Sequence, residues 1–240
     1  MKYYLLLLIQ LLFIKINAQT SNNIKIHDIS FERVDSISNI NKYKDSLIKQ
    51  YEETYSYVID LFENKNDKEE LETNKDSIVN NKISEINSLK ITNPITFKQK
   101  YSFKTISDSI ILKEEEFQNL ISNFLIDVKN KNITNSDEYQ YPYEFDRIKN
   151  LNIREYKNDT KLIHGVKTFK IICTYSRTFM NKEDFIESHM YVTQAYQSLF
   201  HPYYKVKEIL IKYYPLEIIE YNSWRNGLEV KTKLLNIKYD

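Results

Sequence analysis

The sequence predicts an α+β fold: an antiparallel β-sheet packed on one amphipathic helix, preceded by an N-terminal helical hairpin. Three observations carry this. The closing stretch Tyr213–Tyr239 alternates around a glycine turn. Residues Asn41 to Lys90 repeat their apolar positions with a helical period. From Leu151 onward, short alternating runs follow one another with short connections, the pattern of an antiparallel meander.

The closing hairpin is the clearest element. Pro215 cannot donate to a ladder and marks the start of a strand. Leu216, Ile218 and Glu220 point to one side, Glu217, Ile219 and Tyr221 to the other, and the pattern turns polar toward Asn222. Asn226-Gly227 supplies the positive φ that a tight turn requires. Leu228, Val230, Thr232 and Leu234 then share one face, opposite Glu229, Lys231 and Lys233. That face is expected to meet the same core as Phe169, Ile171 and Cys173. Trp224, in the loop, reads as a lid on the sheet, with ligand stacking as the functional counterpart. With only two glycines in 240 residues, Gly165 and Gly227 stand where the backbone demands them.

Two helices are predicted before the sheet. Leu47, Tyr51, Thr54 or Tyr55, Val58 and Phe62 form one stripe, and Leu71, Ile78, Val79, Ile83, Ile86 and Leu89 a second, with a break at Asn64 to Asp67. Their narrow stripes fit a hairpin that covers the sheet or extends loosely from it, or a partner-binding arm. Ile24 to Ile29 alternates briefly and reads as a short strand. Asn93-Pro94 is the best boundary in the chain. Phe97, Tyr101 and Phe103 after it read as a half-buried strand. Asp108 or Ser109 is placed to cap a helix running from Ile110 through Phe117, Ile121, Phe124 and Leu125 to Val128. Glu114, Glu115 and Glu116 read as its solvated first turn. Lys129 to Asn150 reads as a loop, its Tyr139, Tyr141, Tyr143 and Phe145 anchoring it or stacking on a sugar or peptide. The divisions are therefore 1–18 as a signal peptide, 19–92 as a helical segment and 93–240 as the α+β domain.

The address rests on the N-terminus. Lys2 precedes an apolar run from Tyr3 to Ile14, and Ile16-Asn17-Ala18 offers a small residue before a cut, leaving Gln19 first. The run is shorter than the roughly 20 residues of a transmembrane helix. The chain is thus expected to be secreted or periplasmic, with no integral membrane segment after cleavage. Without Lys2 and Lys15 the 34 basic residues become 32, against 33 acids. Such an interspersed, near-neutral balance argues against nucleic acid and anionic membranes as partners. A single cysteine rules out an internal disulfide framework.

Candidate chemistry is sparse. Cys173 with His164 or His189 can be written as nucleophile and base, but Cys173 sits mid-strand among apolar neighbours, where a free cysteine is normally a small core residue. His164, His189 and His201 could ligate zinc only by converging from separate strands, since no HExxH or paired CxxC spacing is present. Asn132-Ile133-Thr134 and Asn158-Asp159-Thr160 match the glycosylation acceptor pattern of a eukaryotic secretory route. Two glycines exclude a P-loop, a GxGxxG loop and a GxSxG elbow. No cofactor is implied.

Asp159-Thr160-Lys161-Leu162-Ile163-His164-Gly165-Val166-Lys167, Tyr191-Val192-Thr193 and Tyr214-Pro215-Leu216-Glu217-Ile218 together resemble the strand entries and closing proline segment of the GLPGLI family, small secreted proteins of Bacteroidetes. The likeness spans Asp159 to Asp240, and the GLPGLI hexapeptide itself is absent. More loosely, this region resembles the sheets of lipoprotein-localisation carriers, which wrap a helix and present a concave apolar face. The resemblance implies that Ile110 to Val128 is that helix. It brings no catalytic residues. The expected function is that of an exported non-enzymatic cell-envelope protein binding an apolar ligand or a protein partner on its sheet. The alternative is a secreted hydrolase using His189 or Cys173.

Overall fold

A computed structural model describes residues 26–90, 95–105, 110–117, 120–179 and 182–239. The expectations for the signal peptide, the Asn93-Pro94 boundary and the Asp108 or Ser109 cap fall outside these residues.

The described residues form one eleven-stranded antiparallel sheet and a helical hairpin. β1 (Ile26–Ile37) is followed by helices α1 (Ile40–Leu61) and α2 (Lys65–Ser88). The meander β2 (Ile95–Thr105), β3 (Ile110–Phe117), β4 (Leu120–Asp127), β5 (Asn132–Asn135) and β6 (Gln140–Pro142) comes next. Then β7 (Ile148–Ile163), β8 (Val166–Phe179) and β9 (Lys182–Thr193) lead through the one-turn helix α3 (Lys207–Leu210) to β10 (Tyr214–Asn222) and β11 (Leu228–Tyr239). The spatial order is β6-β5-β4-β3-β2-β1-β11-β10-β9-β8-β7, so two meanders are joined by the pairing of β1 with β11.

β6 and β7 lie at opposite edges of the sheet, yet only six Cα steps separate Pro142 from Ile148. Six extended residues span at most about 21 Å. Eleven strands laid flat would hold those edges about 48 Å apart at ~4.8 Å per gap. The sheet must therefore be rolled into an open trough, with the chain at 143–147 crossing its mouth.

The trough is filled by the protein's own chain. Between β9 and β10, residues 194–213 dip into the concave face instead of making a short hairpin. Their Phe200, Tyr204, Val206, Ile209 and Leu210 are buried. Phe200 meets Phe103 of β2 edge-on at 5.2 Å, and Tyr196 meets Tyr214 of β10 at 4.5 Å. His201 lies 4.8 Å from the Phe31 ring of β1. It is fully buried: its Nδ1 accepts from the backbone N–H of Tyr204 (2.9 Å) and Tyr203 (3.2 Å), and Nε2–H donates to the Pro215 carbonyl (3.2 Å). Burial pushes its pKa down to about 3, so it serves as a neutral staple for the plug.

Against the sequence expectations, the α+β class stands, but the sheet does not pack on one amphipathic helix. Ile110–Val128 is the hairpin of β3 and β4, with Ile111 opposite Ile126 and Phe117 opposite Leu120. The apolar residues of the stripe fall on both faces of the two strands, and pairing with β2 selects the hairpin. On the trough side Lys113 sits opposite Phe103, donates to Glu115 at 2.8 Å, and lies 5.0 Å from the Tyr101 ring and 4.9 Å from that of Phe124. Those contacts let a charged residue occupy a strand face that periodicity alone reads as broken. The segment 19–92 holds more than helices as well. Its β1 sits at the centre of the sheet, hydrogen-bonded to β2 on one side and β11 on the other.

The two helices lie close to where the periodicity puts them. Asn39 caps α1 through its side chain and the Lys42 N–H at 3.0 Å, and Asn64 caps α2 through Asn66 at 3.0 Å. Gly227 anchors the hairpin to the sheet. Its carbonyl accepts from the Ser38 (2.9 Å) and Asn39 (3.2 Å) N–H groups. Its φ is +87°, and a Cβ there would lie 2.5 Å from the Asn39 carbonyl oxygen and 2.6 Å from the Tyr43 nitrogen. Gly165 and His164, with φ of 81° and 48°, make the two-residue β7–β8 turn of type I′ character. The predicted faces hold, since Leu228, Val230, Thr232 and Leu234 are buried on the trough side with Ile171 and Cys173, and Phe169 is partly buried there. The single shared core does not, because Leu228 and Val230 pack with Ile37 in a separate small cluster and only Leu234 joins Ile171 and Cys173.

Candidate functional site: a charged mouth on the rolled sheet

Strand alternation continues past the apolar core, and at one end of the trough the inward positions become charged. β1 places Arg33 and Asp35 after Phe31, and β8 places Arg177 after Cys173 and Tyr175. β9 places Asp184 before Ile186, and β10 places Glu220 after Leu216 and Ile218. Register brings them together, with Arg177 opposite Asp184, Glu220 opposite Val230 and Asp35 opposite Val230 from the other side. Tyr203 and Lys205 of the plug and Trp224 and Arg225 of the β10–β11 turn close a cavity of about 260 Å³.

The charges are buried and mostly paired. Arg33 holds Asp35 in a two-pronged ion pair, Nε to Oδ1 at 2.9 Å and Nη2 to Oδ2 at 3.0 Å, and its guanidinium lies 4.6 Å from the Tyr203 ring centre. Burial pushes the Asp35 carboxyl up more than Arg33 pulls it down. Arg177 Nε reaches Asp184 at 3.3 Å, and Nη1 is 3.8 Å from Asp146. Asp184 also accepts from the Ser223 hydroxyl (3.2 Å) and the Trp224 N–H (3.0 Å), so the acid that meets Arg177 also shapes the turn carrying Trp224.

Glu220 is different. It is 7% exposed, and among the described residues its one hydrogen bond is from the Tyr203 hydroxyl at 3.3 Å, with no cation within 4 Å. Burial raises its pKa, against the opposing pull of Arg177 and Arg33.

A smaller cleft of about 110 Å³ adjoins the mouth on the other side of Trp224, between α1 and the turn. Gln50 of α1 donates to the Trp224 carbonyl there. Trp224 thus joins the site to the helical hairpin, which is more than a lid on the sheet.

The residues singled out from sequence do not converge. Cys173 is buried on the trough face, and burial pushes its thiol up to about 12, the opposite of an activated nucleophile. His189 is on the outer face, bonded to Glu187 at 2.6 Å and beside Tyr221. His164 is in the β7–β8 turn and His201 inside the plug. Among the described residues no three His, Cys, Asp or Glu side chains group as metal ligands. Of the Tyr139–Phe145 cluster, Tyr143 is an anchor, donating to the Leu199 carbonyl at 3.2 Å, whereas Tyr139 is exposed. The reading from sequence missed Arg33, Asp35, Arg177, Asp184 and Glu220. The available signal was a charged residue extending an apolar strand face in register, as Glu220 extends Leu216 and Ile218.

No family model matches the chain, and neither a curated protein nor a solved structure shows a significant likeness to it. Among the described residues no helix is long and apolar enough to cross a membrane.

Proposed function

We propose that this chain is an exported, non-enzymatic binding protein that takes a small polar ligand in the charged mouth of its rolled sheet. The carrying observation is the contrast inside the trough. Its apolar length is occupied by residues 194–213, while the mouth keeps a cavity walled by charged side chains, the acids Asp184 and Glu220 buried among them. Replacing buried ion pairs with apolar residues is often neutral or stabilising, so charges retained at this depth favour a recognition role. The hydrolase alternative gains no support from Cys173 and His189, which lie on opposite faces of the sheet. Export rests on the leader pattern of Lys2 to Ala18, and kinship with the GLPGLI family on the strand segments quoted above.

Two measurements test the reading. Mass spectrometry of the processed protein should find Gln19 first, and an intact Met1 would sink export. Ligand-observed NMR on the mature chain, with a panel of amino acids, sugars, polyamines and dicarboxylates, should find a binder that the Glu220→Gln variant loses. A binder that prefers aliphatic or acyl chains and ignores that substitution would overturn the site.

A further inference from the structure

We infer, resting on that reading, that the mouth cavity takes a zwitterion of the free-amino-acid type, its ammonium group on Glu220 and its carboxylate toward Arg177 and Arg225. The cavity wall carries both signs of charge. Among the buried acids around it, Glu220 is the least satisfied. Asp35 is held by Arg33, and Asp184 by Arg177, Ser223 and the Trp224 N–H, whereas Glu220 has only the long bond from Tyr203. The wall also carries cations without a carboxylate within 4 Å among the described residues: Lys205 on the plug and Arg225 on the turn. Arg177, which meets Asp184 and Asp146, lines the same cavity.

Charge repulsion then sorts ligands. A simple anion in the cavity meets Glu220, and a simple cation meets Arg33, Arg177, Lys205 and Arg225. Like-charge contacts of this kind discriminate strongly when water is excluded. A molecule with both charges at one end satisfies both walls. The size agrees: about 260 Å³ is the volume of eight or nine waters at ~30 Å³ each, room for an amino acid with its hydration but not for an extended chain.

The test uses the mature chain with free proteinogenic amino acids, their N-acetyl and carboxamide derivatives, succinate, putrescine and glucose as probes in ligand-observed NMR and calorimetry. We expect at least one free amino acid to bind, with N-acetylation weakening it at least tenfold. Glu220→Gln should cost at least tenfold as well. Arg225→Ala, on an exposed turn and therefore safe for folding, should weaken the free amino acid several-fold and its carboxamide much less. Equal binding of acetylated and free forms, or indifference to Glu220→Gln in a folded variant, overturns the inference. Glucose, succinate or putrescine binding in place of amino acids overturns the zwitterion and leaves the mouth as a ligand site. If no probe binds, both readings fail.

Discussion

The two ends of the trough are built from the same strands and behave as opposites. At the plugged end, inward positions of β1, β2 and β10 are Phe31, Phe103 and Leu216, and residues 194–213 close over them with aromatic rings and the neutral His201. At the mouth, the same strands or their neighbours present Arg33, Arg177, Asp184 and Glu220 to a cavity, with Asp35 held behind Arg33. The plugged end carries stability through dense apolar contact, which is worth about 25 cal/mol for each Å² removed from water. The mouth sets charges in a poorly hydrated space, where their pairing roughly offsets the cost of desolvation. One end therefore holds the fold together, and the other is free to be shaped by a ligand.

The largest expected effect comes from charging the plugged end. Leu234→Lys would put an ammonium group where Leu234 is 4% exposed among apolar neighbours, and should abolish folding by thermal melt. Lys231→Val, on the exposed side of the same strand, should change stability by no more than about 0.5 kcal/mol. Val230, though equally buried, is the wrong site for this comparison. It lies between Asp35 and Glu220 in register, and a lysine there would find acids. Equal tolerance at 234 and 231 would break the distinction between core and outer faces.

Phe200→Ala should come next. Removing the ring that meets Phe103 and Tyr143 should cost about 3–5 kcal/mol in urea unfolding. A loss below about 1 kcal/mol would mean that the plug is not seated.

The two ends should also respond oppositely to pH. His201 is neutral in the folded protein with its pKa lowered to about 3, against about 6.5 when unfolded. The unfolded state binds the proton first, so this contribution is complete above about pH 6.5 and is lost as pH falls toward 3. The urea midpoint should drop by a few kcal/mol equivalent between pH 7.5 and 5, and His201→Gln should flatten that limb. Glu220 has the opposite sign. Its folded pKa is raised, so its contribution is present below about 4.5 and is lost as pH rises through the folded value. Glu220→Gln should therefore gain on the wild type as pH rises from 4 to 7.5. A Glu220→Gln variant less stable than wild type at neutral pH would show that Glu220 is a structural ion and not a ligand acid.

Local pattern was enough wherever a feature depends on neighbours along the chain. Gly227 and Gly165 could be placed at turns from their scarcity alone. The stripes from Leu47 and Leu71 are helical because Asn39 and Asn64 cap them nearby. The inward faces of β8 and β11 follow from alternation. Tertiary structure decided what pairs with what. Ile110–Val128 reads as helical because its apolar residues fall on both strand faces, and only β2 alongside it settles the choice. β1 reads as a scrap of alternation because its inward run ends in Arg33 and Asp35. Those charges make sense only once β8, β9 and β10 bring Arg177, Asp184 and Glu220 to the same mouth. Periodicity is a property of one segment, and burial of charge is a property of the segments that surround it. The sequence alone determined strands, turns and helices, and the rolling of the sheet around its own plug determined that there is a charged site at all.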